Sequence, residues 1–334
     1  MPLYSIQPRA MRLASLTAII LAIFALPGVR AQNNKAGLAW ANGDSVDMDQ
    51  FTVTGKVSWY YSWSAWPVNN DLEFVPMLWG PGHIPEFQNN INQTLAQHHV
   101  TSILGMNEPE QSGQSNISPG DAAQMWRTYL EPLRARGLRL GSPAPSSAPS
   151  GKQWLYDFLG ACAGCNVDFI AFHWYDVNAT AFIQYAEDMH NAFQRPLWVT
   201  EWACQNFRPP GTSPGAGIQC SDADTVLFLN STQAFMDSAP YIERYSWFGA
   251  MRDLHGVNPA NALMDGNGKI NSLGQQYMGA IPPRPPGPGS PDGPTAPTSN
   301  GGPRIMNYSP TNTIPAVWQV VLLLVAFPIL HKLC

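Results

Sequence analysis

Residues 103–110 read ILGMNEPE. Two apolar residues lead, a glycine interrupts, Asn107 and Glu108 follow, and Pro109 closes the run. A short apolar run bounded by turn signals is the mark of a strand buried in a parallel sheet. Ending such a strand on a carboxylate is costly unless the charge is paired or has chemistry to perform. The stretch therefore poses two questions: what sheet contains it, and what faces Glu108.

The same signature recurs along the chain. GLAWA ends at Ala41, VSWYYSW starts at Val57, FVPMLWG ends at Gly80 and SILGMNE ends at Glu108. LRLGSPA ends at Ala144, FIAFHWY at Tyr175, LWVTEWA at Ala203 and YSWFGAM at Met251. Helix-like stretches fill most of the gaps: residues 89–99, 119–136 with Pro119 at the start and Gly137 as the stop, 153–159, 179–193 and 223–238. Strand alternating with helix implies right-handed crossovers and a parallel sheet, hence the α/β class. Eight strands in about residues 32–280 fit one closed (β/α)8 TIM barrel forming a single domain. The gap 41–57 is short for a helix, so the first crossover reduces to a turn or a brief helix. An open doubly wound sheet is the alternative, and no GxGxxG or P-loop favours it.

Both ends of the 334-residue chain differ from this body. Residues 13–26, LASLTAIILAIFAL, form an apolar run behind Arg9 and Arg12, with Val29-Arg30-Ala31 after it. That pattern reads as a secretory signal peptide over residues 1–31; an N-terminal membrane anchor is the alternative. Residues 281–299 hold eight prolines and read as a semi-rigid stalk, so 281–300 is a linker. Residues 314–333 are mostly apolar, behind a polar spacer and the small residues Asn300-Gly301-Gly302. Small site, spacer and tail read as a GPI-attachment signal, with 301–334 the discarded propeptide and Asn300 the attachment residue, Ser299 the alternative. A transmembrane helix would normally carry a basic flank, and little follows this one. The expected location is the outer leaflet of the plasma membrane and the cell wall.

The chain carries 18 basic and 23 acidic side chains, and its two ends contribute five of the basic ones and none of the acidic. The body is therefore strongly acidic, which argues against nucleic acid as a partner. Cys334 leaves with the tail. Cys162, Cys165, Cys204 and Cys220 remain, an even set in a secreted chain, with three possible connectivities. Loop economy favours Cys204–Cys220 and Cys162–Cys165. A redox or zinc reading of CAGC is weak, because no second Cys or His cluster has ligand spacing, and no metal or cofactor is expected. Sequons at Asn92, Asn116, Asn178 and Asn230 suit a glycosylated surface; a fifth, Asn307, lies in the tail.

Barrels of this type place their chemistry at the C-terminal ends of the strands. Those ends carry Asn107-Glu108 on the fourth, His173 to Asp176 on the sixth, Thr200-Glu201-Trp202 on the seventh and Trp247 on the eighth. Glu201 is thus the expected counterpart of Glu108. Two carboxylates across one mouth can divide the work of glycoside hydrolysis, one giving a proton to the leaving oxygen, the other attacking or activating water. Ion pairs with Arg127, Arg134 or Arg244 are the structural alternative. Trp40, Trp59, Trp63, Trp79, Trp174, Trp202 and Trp247 lie on or just past strands, where aromatic faces can pack on sugar rings; Trp126, Trp154 and Trp198 read as core.

GMNEPE, FHWYDV and VTEWAC on an eight-strand pattern resemble the fungal members of glycoside hydrolase family 128, which include the alkali-sensitive linkage proteins of fungal cell walls. The resemblance covers about residues 35–280. Asn-Glu-Pro alone is shared by many barrels; its combination with FHWY and TEW is narrower. The resemblance implies an endo-β-1,3-glucanase of the retaining type, with Glu108 as general acid/base and Glu201 as nucleophile. It implies that Asn107 bonds the sugar 2-hydroxyl, that His173 and Tyr175 stand near the nucleophile, and that Trp247 is a sugar platform. Trp59, Trp79 and Trp202 are further candidate subsite walls. The expected partners are cell-wall β-glucan and, through a GPI lipid, the membrane, with the chain a monomer. A non-catalytic wall-binding or adhesion protein on the same barrel, and a β-glucan transglycosylase, remain open alternatives.

Overall fold

The computed structural model describes residues 34–283 apart from 213 and 214. The expected leader, the expected stalk beyond 283, the apolar run 314–333 and Asn300 lie outside them. Among the described residues no helix is long and apolar enough to cross a membrane.

Eight strands run in the expected order: β1 (Ala36–Ala39), β2 (Val57–Tyr61), β3 (Glu73–Phe74), β4 (Ser102–Ile103), β5 (Arg139–Leu140), β6 (Ile170–Asp176), β7 (Leu197–Cys204) and β8 (Ile242–Trp247). Six pair in parallel in the order β3-β2-β1-β8-β7-β6, and β4 pairs with β5. Parallel bridges Met77–Leu104 and Gly141–Phe169 join the two sheets on both sides and close the cylinder. The regular parts of β3, β4 and β5 are short because Pro76, Gly105 and Pro143 interrupt them. Backbone bonding nevertheless continues past β4: Glu108 N–H donates to Ala144 O (2.8 Å) and Asn107 N–H to Trp79 O (2.9 Å). At Gly105 an added Cβ would lie 2.8 Å from Pro143 N, so only glycine lets these neighbours approach.

Six helices follow the strands: α1 (Ile84–Gln97), α2 (Pro119–Met125), α3 (Pro149–Ala161), α4 (Ala179–Phe193), α5 (Asp222–Ser238) and α6 (Ser272–Tyr277). Polar side chains fix their starts. Ser118 caps α2, Asn178 caps α4, and Ser221 with Asp224 forms a capping box on α5. The first crossover is two brief 3-10 turns, Gly43–Ser45 and Asp49–Phe51. The β2–β3 connection also lacks a helix, which the sequence spacing does not reveal.

Alternation sorts the strand residues into two cores. Leu38, Tyr60, Phe172, Trp202, Tyr245 and Trp247 pack outward against the helices. Trp59, Tyr61, Met77, Leu104, Phe169 and Trp198 fill the cylinder. Its N-terminal end is closed by the stacked Phe169 and Trp198 rings (3.9 Å), with Trp59 5.3 Å from Trp198. The Arg244 guanidinium lies 4.5 Å over Trp198 and pairs with Glu73 at 2.6 Å. An added Cβ on Gly37 would meet the Trp59 ring at 2.2 Å, so that glycine makes room for the plug. Among the described residues this ring packing fills the bottom of the cylinder and leaves its C-terminal mouth for chemistry.

The two disulfides are Cys162–Cys165 and Cys204–Cys220, as loop economy favours. The second ties the end of β7 to the start of α5 across 16 positions. Closing a loop of that length stabilises by about 3 kcal/mol in the chain-entropy view. Asn92, Asn116 and Asn178 are exposed; Asn230 is half-buried, its Oδ1 accepting from Gln276.

Candidate active site

β6 alternates cleanly, so Ala171, His173 and Tyr175 point into the cylinder. β7 does not. Trp198 points in and Val199 out, so strict alternation would turn Glu201 toward the helices. The register shows why it does not: Phe172 pairs with Val199, but His173 pairs with Glu201. Thr200 is an extra residue, a bulge that re-aims Glu201 into the mouth and sends Trp202 out. The Tyr61 hydroxyl donates to the Thr200 carbonyl at 2.9 Å and steadies the bulge.

Glu108 and Glu201 converge on His173. The imidazole Nδ1 lies 2.9 Å from Glu108 Oε1 and 3.5 Å from Glu201 Oε2. One donor atom from each of the three residues lies within 4.8 Å of the others. The Glu108 side chain is 13% exposed and that of Glu201 7%, while His173 is fully buried. Glu108 holds a backbone φ of 37°, an uncommon conformation for a residue with a Cβ. Both oxygens of Glu201 accept hydrogen bonds, Oε1 from Trp63 Nε1–H at 2.8 Å and Oε2 from the Tyr175 hydroxyl at 2.5 Å. The buried partner of each carboxylate is therefore not an arginine. Arg127 donates to Ala161 O, Arg134 pairs with Asp168 and Arg244 with Glu73.

Burial opposes charge on His173, but the neighbouring charge of Glu201 and the hydrogen bond and charge of Glu108 outweigh it, and its pKa rises. Burial, then the charges of Glu201 and Glu108, hold the Tyr175 hydroxyl well above its ordinary value, so it stays a donor. Burial and the Glu201 charge do the same for Tyr61. Three donors this close could in principle embrace a cation. Here O–H and N–H groups are aimed at both Glu201 oxygens, and Nδ1 is bonded to Glu108, which suits shared protons rather than a cation cage.

The raised His173 value gives a pH prediction. Stability from its protonated form is fully present below the ordinary value of 6.5 and is lost as pH rises through the higher folded value. The difference in Tm between wild type and His173→Gln should therefore shrink as pH increases above 6.5. A difference independent of pH across that range contradicts the assignment.

Five half-buried rings, Trp63, Trp79, Tyr175, Phe207 and Phe248, form a collar above the cylinder's filled interior. Phe248 lies 5.9 Å from Trp63 and 5.8 Å from Tyr175, and Phe207 5.3 Å from Tyr175. Of the tryptophan candidates, only Trp79 and Trp63 belong to this collar. Trp59, Trp202 and Trp247 are fully buried and offer no face to a ligand. Trp59 is in the bottom plug, its Nε1 bonded to Lys35 O. Trp202 bonds Thr232 of α5, and Trp247 bonds Asn261 O. On β8 the parity runs one residue later, and Phe248, not Trp247, faces the mouth; a one-residue step changes the face. Trp40 and Trp174 are buried as well, while Trp126, Trp154 and Trp198 are core as expected.

Trp63 is the residue whose role the sequence conceals. It continues the inward parity of Trp59 and Tyr61 past the end of β2, which is the signal that could have found it. Asn107 is buried, with Nδ2–H donating to Gln114 Oε1 at 3.2 Å and Oδ1 without a hydrogen bond. Replacing Trp247 with Ala should lower unfolding free energy by about 3–5 kcal/mol, the usual cost of emptying a core Trp site. A loss under about 1 kcal/mol in denaturant titration would return Trp247 to the surface.

A parallel barrel whose fourth and seventh strands end on neighbouring carboxylates under an aromatic collar is a barrel of the glycoside-hydrolase class. The family described as glycosyl hydrolase catalytic core matches residues 37–277. Alkali-sensitive linkage protein 1 of Schizosaccharomyces pombe is 32% identical over 254 residues, covering 74% of this chain and 44% of that protein. The chain thus spans less than half the length of that curated relative. A GH128 (subgroup V) exo-β-1,3-glucanase from Cryptococcus neoformans superposes with a TM-score of 0.60 and 31% identity, over 73% of this chain and 98% of that one. A GH128 (subgroup I) endo-β-1,3-glucanase from Amycolatopsis mediterranei, in complex with laminaritriose, gives 0.61 and 28% over 74% and 100%. The chain belongs to the glycosyl hydrolase catalytic core family and, within it, to glycoside hydrolase family 128.

Proposed function

We propose that this chain hydrolyses β-1,3-glucan by double displacement, with Glu201 as nucleophile and Glu108 as general acid/base. The observation that carries the reading is the proximity of the two carboxylates, whose facing oxygens lie within 4.8 Å. Retaining glycosidases hold their carboxyl groups about 5–5.5 Å apart, whereas inverting ones leave about 6.5–9.5 Å for a water. In the first step a Glu201 oxygen bonds to the anomeric carbon as the glycosidic C–O bond breaks, and Glu108 gives its proton to the departing oxygen. In the second, water gives a proton to Glu108, its oxygen bonds to the anomeric carbon, and the bond to Glu201 breaks. Trp63 and Tyr175 fix the attacking carboxylate from two sides. Asn107 precedes Glu108 in the chain, and its buried amide oxygen, without a hydrogen bond among the described residues, suits the sugar 2-hydroxyl. The collar rings supply platforms for sugar faces, and Phe248→Ala should raise KM for laminarin about tenfold with kcat changed far less.

The two glucanases compared divide between exo and endo action, and the endo mode is the one carried here. The test is a laminarin digest by the secreted domain, residues 32–280, resolved by product length. A ladder of intermediate oligosaccharides supports endo action, and glucose or a single short product from the outset reassigns it to exo. Products longer than the substrate reassign the second step to an acceptor sugar. Absence of cleavage, with binding retained, moves the protein to the adhesion class. The apolar leader, proline-rich stalk and apolar tail support delivery to the surface on a GPI lipid at Asn300. Release of the protein from cells by a phosphatidylinositol-specific phospholipase tests that part.

A further inference from the structure

Glu110 has no part in the displacement steps, yet it is firmly held. Its Oε1 accepts from the Ser146 backbone N–H at 2.8 Å, the Ser146 hydroxyl at 2.5 Å and Gln111 Nε2 at 3.3 Å. Its Oε2 is buried without a hydrogen bond. Enclosing a carboxylate like this is costly, and burial raises its pKa despite the Ser146 bonds. The site is tightly built around it: an added Cβ at Gly151 would lie 3.1 Å from Glu110 Oε1 and 2.3 Å from Ser146 O.

Residues 144–146 link this carboxylate to the reacting groups. The Ala144 carbonyl accepts the Glu108 N–H at 2.8 Å, and the Pro145 carbonyl accepts the His173 N–H at 3.0 Å. Ser146 is the residue that Glu110 grips. One three-residue stretch therefore fixes the backbone of His173 and that of Glu108, whose left-handed φ of 37° needs support from its surroundings. We propose that Glu110 is a positioning residue for the Glu108–His173 pair, acting through residues 144–146 to hold Glu108 Oε1 against His173 Nδ1.

The charge of Glu110 reaches the same pair. The acidic groups acting on His173 are Glu201, Glu108 and Glu110. Tyr61 from β2 and Tyr175 from β6 face Glu201, and Tyr185 from α4 feels Glu110. Among the described residues His173 Nε2, like Glu110 Oε2, is buried without a hydrogen bond, so none of them fixes the ring on that side. Glu110→Gln keeps the size and an acceptor for Ser146 but removes a negative charge. It should make His173 easier to deprotonate and loosen its contact with Glu108.

The inference rests on the double-displacement reading for its kinetic arm alone. In the full chain carrying 15N-labelled histidine, Glu110→Gln should move the His173 titration midpoint to lower pH. Its kcat on laminarihexaose should fall about tenfold to a hundredfold, as small misplacements of reacting groups do, with KM within about threefold. Ser146→Ala removes one of the two Ser146 donors and should give a smaller fall in kcat; it carries the kinetic test if Glu110→Gln does not fold. Glu110→Asp keeps the charge but shortens the reach, and should retain the His173 midpoint better than it retains kcat. An unmoved His173 midpoint in Glu110→Gln overturns the proposal, as does an unchanged kcat in either Glu110→Gln or Ser146→Ala. An inactive wild type would sink the proposed reaction instead, and the titration would still decide on Glu110.

Discussion

Glu201→Gln should reduce laminarin cleavage by a factor on the order of 10⁵ while the unfolding transition stays close to wild type. Gln keeps the volume of Glu; its amide oxygen can accept from Trp63 Nε1–H while its Nε2–H donates to the Tyr175 hydroxyl oxygen, so the two groups that hold position 201 keep partners. It cannot form the bond to the anomeric carbon, and without that bond the reaction has no first step. The smaller variant Glu201→Ala opens the site, and added azide should then restore turnover on an activated glucoside and yield the α-azide by direct displacement. Near-wild-type activity in Glu201→Gln would remove Glu201 from the chemistry.

Glu108→Ala should behave differently. Loss of a general acid/base costs about 10²–10⁴ in rate when the leaving group needs a proton. The loss should be large on laminarin and small for the first step on an aryl glucoside whose phenolate leaves unaided. Azide should accelerate that variant too, but now by attacking the glycosyl-enzyme, so the product has the β configuration. The opposite configurations of the two azides distinguish the residues' roles without any assumption about binding. His173 sharpens the contrast, because its Nδ1 stands 2.9 Å from Glu108 Oε1 and can compensate the charge left there after proton transfer.

Much of this arrangement is legible in the chain. Strands of a parallel barrel are covered on both faces, so they read as continuous apolar runs, and all eight runs hold a strand. Glu108 and Glu201 are visible because a carboxylate closing such a run is costly. What the runs hide is direction. Both faces are apolar, so composition does not tell which residues point inward, and Trp59, Trp202 and Trp247 are assigned to the mouth from their place at strand ends and, for Trp247 and Trp59, from the family resemblance. Trp247 and Phe248 are equally plausible platforms until the parity of β8 is known. The bulge at Thr200 leaves no mark in VTEWAC, yet it decides that Glu201, and not Trp202, faces the sugar side. Trp63 and Glu110 act from connections beyond strand ends, where their partners, Glu201 and Ser146, are distant in sequence. The missing helix between β2 and β3 is hidden for a related reason: the loop is fixed by side-chain bonds such as Thr94 Oγ1–H to Ala65 O rather than by any regular pattern.

The central claim is that the two carboxylates are too close to admit a water between Glu201 and the sugar, so that cleavage passes through a bond to Glu201. The configuration of the newly formed reducing end, followed by 1H NMR in the first minutes of laminarihexaose cleavage, tests it most directly. The account predicts that the β anomer appears first and then drifts to the mutarotation mixture. Appearance of the α anomer first would contradict it.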